Sequence, residues 1–280
     1  MAAWCSIPNI AATVSDGTAI VEVVIRPDAE SVAAFVADAI ERLLSTTPDA
    51  VLGLATGSSP LGVYRELVRR CTAGSPSFRR STAFLLDEYI GLSPDHPESY
   101  RAFITRNFTG LIDIDPANVH VPDGAASDVE AACAEYETMI RAAGGVDLQL
   151  LGIGADGHLG FNEPTSSLVS RTRVKTLTEQ TRNDNNRFFG DLDEVPRHVV
   201  TQGIGTILDA RHLVLIAIGA GKAEPIARAV EGPVASMCPA SAIQLHPRAT
   251  VVVDEAAAAQ LTLADYYRAT FANKPPWQST

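Results

Sequence analysis

The sequence predicts an α/β fold: a three-layer, Rossmann-like arrangement with a mostly parallel sheet and helices on both faces. Two observations predict it. Short apolar runs that stop at glycine or polar residues alternate with longer segments of helical periodicity, the pattern of strands buried beneath crossover helices. Neither a Ser/Gly-rich linker nor an internal repeat interrupts the 280 residues, so a single domain is expected over 19–272. Residues 1–18 read as an N-terminal extension, and 273–280, which carry Pro275 and Pro276, as a C-terminal tail.

The elements follow in order. Residues 19–25 alternate as a strand. In 28–44, Val32, Phe35, Val36, Ala39, Ile40, Leu43 and Leu44 recur at helical spacing and give one apolar face. Val51 to Leu54 is a short buried strand. A helix over 60–71 is expected, with Ser59 as its cap and Pro60 at its first position. Residues 82–86 form a strand, 98–108 and 128–143 form helices, and 146–151 is an apolar strand. A short helix over 203–208 precedes a strand over 212–218 and a helix over 222–230. A strand over 250–253 and a helix over 256–267 complete the domain.

Composition limits the function classes. The net charge of −11 excludes a generally basic nucleic-acid-binding face, so an anionic ligand has to be met by locally placed cations or N–H groups. The four cysteines lie far apart and form no CxxC, which argues against a zinc knuckle or disulfide framework and fits a reducing cytoplasm. Neither a membrane-length apolar run nor a signal-peptide pattern is present, so no membrane association is expected.

In an open α/β sheet, ligands bind beyond the carboxyl ends of the strands, and four strand ends carry suggestive groups. After 51–54 comes Thr56-Gly57-Ser58-Ser59, whose hydroxyls and backbone N–H groups could hold a phosphate at a helix start. The alternative is an ordinary capped turn. After 82–86 stands Asp87, a carboxylate placed to act as a base or, more plainly, as a loop acid. After 146–151, the glycine-broken stretch 152–164 presents Asp156, His158 and Glu163, an imidazole bracketed by carboxylates that can move a proton near neutral pH. After 212–218, Gly219-Ala220-Gly221-Lys222 places a cation at a helix start, against the helix dipole. A basic set, Arg171, Arg173 and Lys175, and then Arg187 beside two phenylalanines, could meet an anion or lie on a solvated edge. A metal at Asp156/His158/Glu163 is not expected, because no second histidine stands at ligand spacing. Together these groups suggest proton transfer on a phosphorylated small molecule.

The sequence resembles the glucosamine-6-phosphate deaminase (glucosamine/galactosamine-6-phosphate isomerase) family. The likeness is carried by residues 51–62, 86–91, 95–100, 152–164, 170–178, 187–189 and 241–247. The block 156–164 followed by 171–178 distinguishes it from the related 6-phosphogluconolactonases. The resemblance implies that Asp87 moves a proton between C2 and C1 of an open-chain sugar. It implies that His158 assists ring opening and that Asp156 and Glu163 orient and tune His158. The phosphate falls to Thr56, Gly57, Ser58, Ser59, Arg187 and Lys222, and neither cofactor nor metal is implied. Some members carry an effector site for N-acetylglucosamine 6-phosphate, whose residues match Ser166, Arg173, Lys175 and Thr176. Here Tyr267 stands one residue out of register with the tyrosine of that site, and the extension displaces the terminal amine, so weak or absent activation is expected. Ala155 stands where a Glu is common. The alternatives are an isomerase/deaminase of another amino-sugar phosphate, a lactonase-like hydrolase, or a non-catalytic sugar-phosphate sensor. The complete acid/base set and the lack of a helix-turn-helix pattern argue against the sensor. The sequence leaves room for a homo-oligomer.

Overall fold

A computed structural model describes residues 20–93, 95–186 and 189–275. The expected extension 1–18 and the residues beyond 275 lie outside the described residues, as does Arg187. Strands β1 (Ile20–Arg26), β2 (Val51–Leu54), β3 (Thr82–Leu85), β5 (Val119–His120), β6 (Leu148–Leu151), β9 (Leu213–Ala217) and β10 (Arg248–Asp254) form a seven-stranded sheet among the described residues. Its order is β1-β10-β9-β6-β2-β3-β5, and every pairing is parallel. From β2 the chain moves outward one way through β3 to β5; from β6 it moves the other way through β9 to β10. The crevice between β2 and β6 is therefore a topological switch point, where such sheets bind ligands.

Both faces are covered. On one face, Val32, Val36 and Ile40 of α1 (Ala29–Thr46) and Tyr64 and Leu67 of α2 (Leu61–Thr72) pack on Leu52, Leu54, Leu148, Leu150, Val214, Ile216 and Val252. Tyr136 of α4 (Val129–Ala142), Ile207 of α6 (Ile204–Leu208) and Ile226 of α7 (Ala223–Val230) cover Leu151, Leu213, Leu215, Val251 and Val253 on the other. Neighbouring strand residues go to opposite clusters, the period-two alternation of a sheet buried on both sides. Asp28 caps α1 by accepting from Ser31 N–H at 2.8 Å. No helix among the described residues is long and apolar enough to cross a membrane.

Besides the unexpected edge strand β5 and a helix over Glu179–Asn185, three features differ from the sequence expectation. First, a small antiparallel sheet, β4-β8-β7, is built from β4 (Asp87–Tyr89), β8 (His198–Thr201) and β7 (Arg173–Thr176). Leu86 joins the two sheets: its N–H donates to Leu54 O at 3.2 Å in the large sheet, and its carbonyl accepts from Gln202 N–H at 2.7 Å beside the small one. Second, α2 begins at Leu61, with Pro60 rather than Ser59 at the cap position and no side-chain cap. Third, the helix expected over 256–267 is replaced by turns over 255–260, and α8 runs over Ala264–Ala272. Tertiary hydrogen bonds to Glu231 override the alanine run here, beside a local one to Asp254. Asp254 takes Ala257 N–H at 2.8 Å, and Glu231 takes the Thr262 and Leu263 N–H groups, each at 2.9 Å. The segment expected to begin a tail is tied at its start, where Lys274 Nζ meets Glu22 Oε1 at 2.6 Å.

Candidate active site

The loops after β9, β6, β2 and β3, four neighbouring strands, share a cleft of about 380 Å³. Thr56, Gly57, Ser58, Ser59, Asp87, His158 and Lys222 line it together. The structure thus brings the expected phosphate loop, base, imidazole and cation to one cleft.

Asp87 sits where the two sheets meet and is 5% exposed. Its Oδ1 is buried with no hydrogen-bond partner. Burial, reinforced by the adjacent Glu88 charge, pushes its carboxyl up to about 8. Gly160, at φ +56°, closes over this group: a Cβ there would stand 3.0 Å from Thr201 Oγ1 and 3.3 Å from Asp87 Oδ2. Glu88 points away from the cleft and accepts from the N–H groups of Tyr89, Tyr100 and Arg101 at 2.8, 2.9 and 3.0 Å. It thereby fixes the start of α3 (Tyr100–Asn107) against β4. Asn185, the last residue of α5 (Glu179–Asn185), donates through Nδ2 to Tyr89 Oη at 3.0 Å, and Tyr100 Oη lies 3.3 Å from the same atom.

The loop after β6 carries the imidazole. His158 Nδ1 lies 2.7 Å from Asp156 Oδ1, although the ring N–H does not point along that line. The same oxygen accepts from His158 N–H at 3.1 Å. Burial raises the Asp156 carboxyl, but the His158 ring beside it and the His158 N–H bond outweigh burial and hold it below the usual range. The ring rests on the Gly154 backbone: a Cβ at Gly154 would meet His158 Cε1 at 2.1 Å, so only glycine fits there. Glu163 does not reach the imidazole. It is 5% exposed and accepts from Thr178 Oγ1 at 2.8 Å and from Thr181 Oγ1, so it anchors the segment that leads into α5.

At the other loops, no side chain of Thr56, Ser58 or Ser59 has a hydrogen-bond partner among the described residues. They and the uncapped start of α2 face the cleft. Lys222 closes the turn Ala220–Lys222 and donates from Nζ to Ile153 O at 2.7 Å. Asp254 holds that turn from behind, taking Gly219 N–H on both carboxylate oxygens at 3.0 Å. Sequence reasoning passed over Asp254 because its role depends on a partner far along the chain. It also gave no role to Tyr89, Glu98, Tyr100, Thr181 or Asn185, which line the cleft. The likeness of 95–100 to the family was the available signal for two of them.

The residues matching an effector site are only partly gathered. Arg173 and Lys175 share one face of β7, and strand alternation puts Thr176 on the other. Ser166 is 3% exposed, with its hydroxyl unpartnered. The Tyr267 phenol is engaged by Glu231.

The chain is similar to known proteins of one family. The family model for glucosamine-6-phosphate isomerases/6-phosphogluconolactonase matches residues 28–253. A glucosamine-6-phosphate deaminase of Arthrobacter sp. (strain FB24) is 63% identical over 257 residues, covering 92% of this chain and 99% of the relative. The Streptomyces coelicolor protein of the same name is 59% identical over 258 residues, covering 92% and 99%. Among solved structures, a monomeric glucosamine-6-phosphate deaminase superposes with a TM-score of 0.83 at 43% identity, covering 85% of this chain and 99% of the other. The 6-phosphogluconolactonase of Thermotoga maritima aligns with a TM-score of 0.67 at 21% identity, covering 84% and 100%. That likeness shows the fold alone.

Proposed function

The chain belongs to the glucosamine-6-phosphate isomerase/6-phosphogluconolactonase family, and from that premise we propose that it is a glucosamine-6-phosphate deaminase, converting glucosamine 6-phosphate and water to fructose 6-phosphate and ammonium. The observation that carries this reading is the shared cleft: a buried carboxyl and an imidazole–carboxylate pair lie with an uncapped helix start and a lysine.

The chemistry follows from these groups. The sugar phosphate is held by the 56–59 loop and Lys222, with Arg187 assigned to the same task by resemblance, and this fixes the carbon chain along the cleft. His158, steadied by Asp156, handles the proton that accompanies opening of the pyranose ring. Asp87 then takes the C2 proton of the open-chain aldose and returns it to C1. The enolamine between these steps becomes an iminium at C2, water adds there, and ammonium leaves. Burial holds the Asp87 carboxyl near 8, so the free site favours its protonated form at neutral pH. The substrate's cationic amine counters that bias and favours the carboxylate when the base is needed.

The test is direct. The purified protein, given glucosamine 6-phosphate, should release ammonium and fructose 6-phosphate in equal amounts, with activity retained in EDTA. Absence of ammonium release, together with turnover of galactosamine 6-phosphate or 6-phosphogluconolactone, would overturn the assignment.

A further inference from the structure

We propose that Glu98 is the counter-charge for the substrate's 2-ammonium group, and that it sets the preference for a 2-amino over a 2-hydroxyl sugar phosphate. The proposal rests on the reading that the substrate is glucosamine 6-phosphate.

That substrate is charged at two places, with an anionic phosphate at C6 and a cationic amine at C2. The cleft answers the phosphate with Lys222 and the 56–59 loop. Two carboxyl-bearing residues, Asp87 and Glu98, occur among the described residues that line it. Asp87 is deeply buried and has the proton-transfer role. Glu98 is half-buried, and its carboxylate has no hydrogen-bond or salt-bridge partner among the described residues.

Glu98 is held on a fixed support. Its N–H donates to His96 Nδ1 at 3.1 Å, and the next residue, Ser99, caps α3 by accepting from Ala102 N–H at 3.1 Å. Tyr100 and Arg101 are bound to Glu88 through their N–H groups. The carboxylate is therefore presented to the cleft by a segment tied on both sides. The cleft that Glu98 lines is also aromatic, with Tyr89, Tyr100, Phe103, Phe161 and Phe189 in its wall. Aromatic faces and one free carboxylate suit an ammonium group, whereas a neutral hydroxyl gains little from either.

The test uses two stable, non-reacting open-chain ligands, 2-amino-2-deoxyglucitol 6-phosphate and glucitol 6-phosphate. They differ in the group at C2. Calorimetric Kd values are measured at pH 7 for the full chain and for Glu98→Gln. The amino compound should bind the variant about tenfold or more weakly, the scale of a lost charge-assisted hydrogen bond. Glucitol 6-phosphate should change by less than about twofold. In turnover, KM for glucosamine 6-phosphate should rise more than kcat falls. Equal changes for both ligands, or none for either, would overturn the proposal. Glu98→Ala serves the same purpose should Glu98→Gln fail to fold, and Glu98→Asp, which keeps the charge, should recover part of the selectivity. The two readings fail separately: a wild-type chain that releases no ammonium defeats the deaminase reading, while calorimetry of the glucitols judges Glu98 without turnover.

Discussion

Replacing Asp87 with asparagine should remove activity and make the fold more tolerant of alkali. The substitution keeps the shape of a side chain that is 5% exposed, and it removes both the proton acceptor and the buried ionisable group. In the unfolded chain this carboxyl ionises near 3.8; in the fold, burial and Glu88 push it up to about 8. The folded state therefore favours the protonated form. The stabilisation linked to this group is complete below 3.8 and is lost progressively as pH rises through about 8. At ~1.4 kcal/mol per pH unit, that interval caps the loss near ~6 kcal/mol, and local opening or entry of water reduces it. Asparagine does not titrate, so the variant escapes the loss. The assay is thermal unfolding of both proteins at pH 5, 7 and 9, beside ammonium release. The Tm of the variant relative to wild type should climb with pH by several degrees, at about 2–4 °C per kcal/mol for a chain of this size. Turnover should fall by roughly 10²-fold or more, the scale of general-base loss. A Tm difference that is flat or narrows toward pH 9 would refute the buried-carboxyl argument. Turnover within a few-fold of wild type would remove Asp87 from the chemistry.

Four further outcomes are expected. Glu88→Gln removes the negative neighbour of Asp87, so the acidic limb of the kcat/KM profile should move to lower pH; an unmoved limb would show that burial alone sets the value. Arg187→Ala and Lys222→Met should each raise KM for the sugar phosphate about tenfold or more, and an unchanged KM in steady-state assays would place that residue outside the site. Asp156→Asn should slow turnover of the closed pyranose more than that of the open-chain aldehyde, as seen in rates before and after anomeric equilibration. N-acetylglucosamine 6-phosphate should activate weakly or not at all, since Thr176 faces away from Arg173 and Lys175 and Tyr267 is engaged by Glu231; a sigmoidal rate curve made hyperbolic by that compound would contradict this.

Much of this was legible in the chain because the signals are local. Buried parallel strands are short apolar runs, and the loops that follow them break on glycine, so the four loops that line the cleft could be placed beyond strand ends. The small sheet was not legible. Its strands are three or four residues long, and β7 is a half-exposed basic segment that reads equally well as solvated loop. The last helix was misplaced because four consecutive alanines favour helix locally, whereas Glu231, distant in the chain, captures the Thr262 and Leu263 N–H groups just beyond them. The environment of Asp87 is likewise non-local: Gly160 and Thr201 close on it from more than seventy residues away. Glu163 was expected beside the imidazole from sequence proximity, but the hydroxyls of Thr178 and Thr181 hold it elsewhere.

The joint at Leu86 has a consequence for how this molecule can vary. One residue, Leu86, bonds to the large sheet through its N–H and to the strand end beside the small sheet through its carbonyl, and the reactive carboxyl is the next residue along. A shift of the small sheet as a body would pivot about that joint and swing the cleft's cover while scarcely moving Asp87. The described residues 177–186 and 189–197, which leave the small sheet and return to it, form part of that cover and can vary where they hold neither Glu163 nor Tyr89. Selectivity and entry can drift there independently of the proton-transfer step.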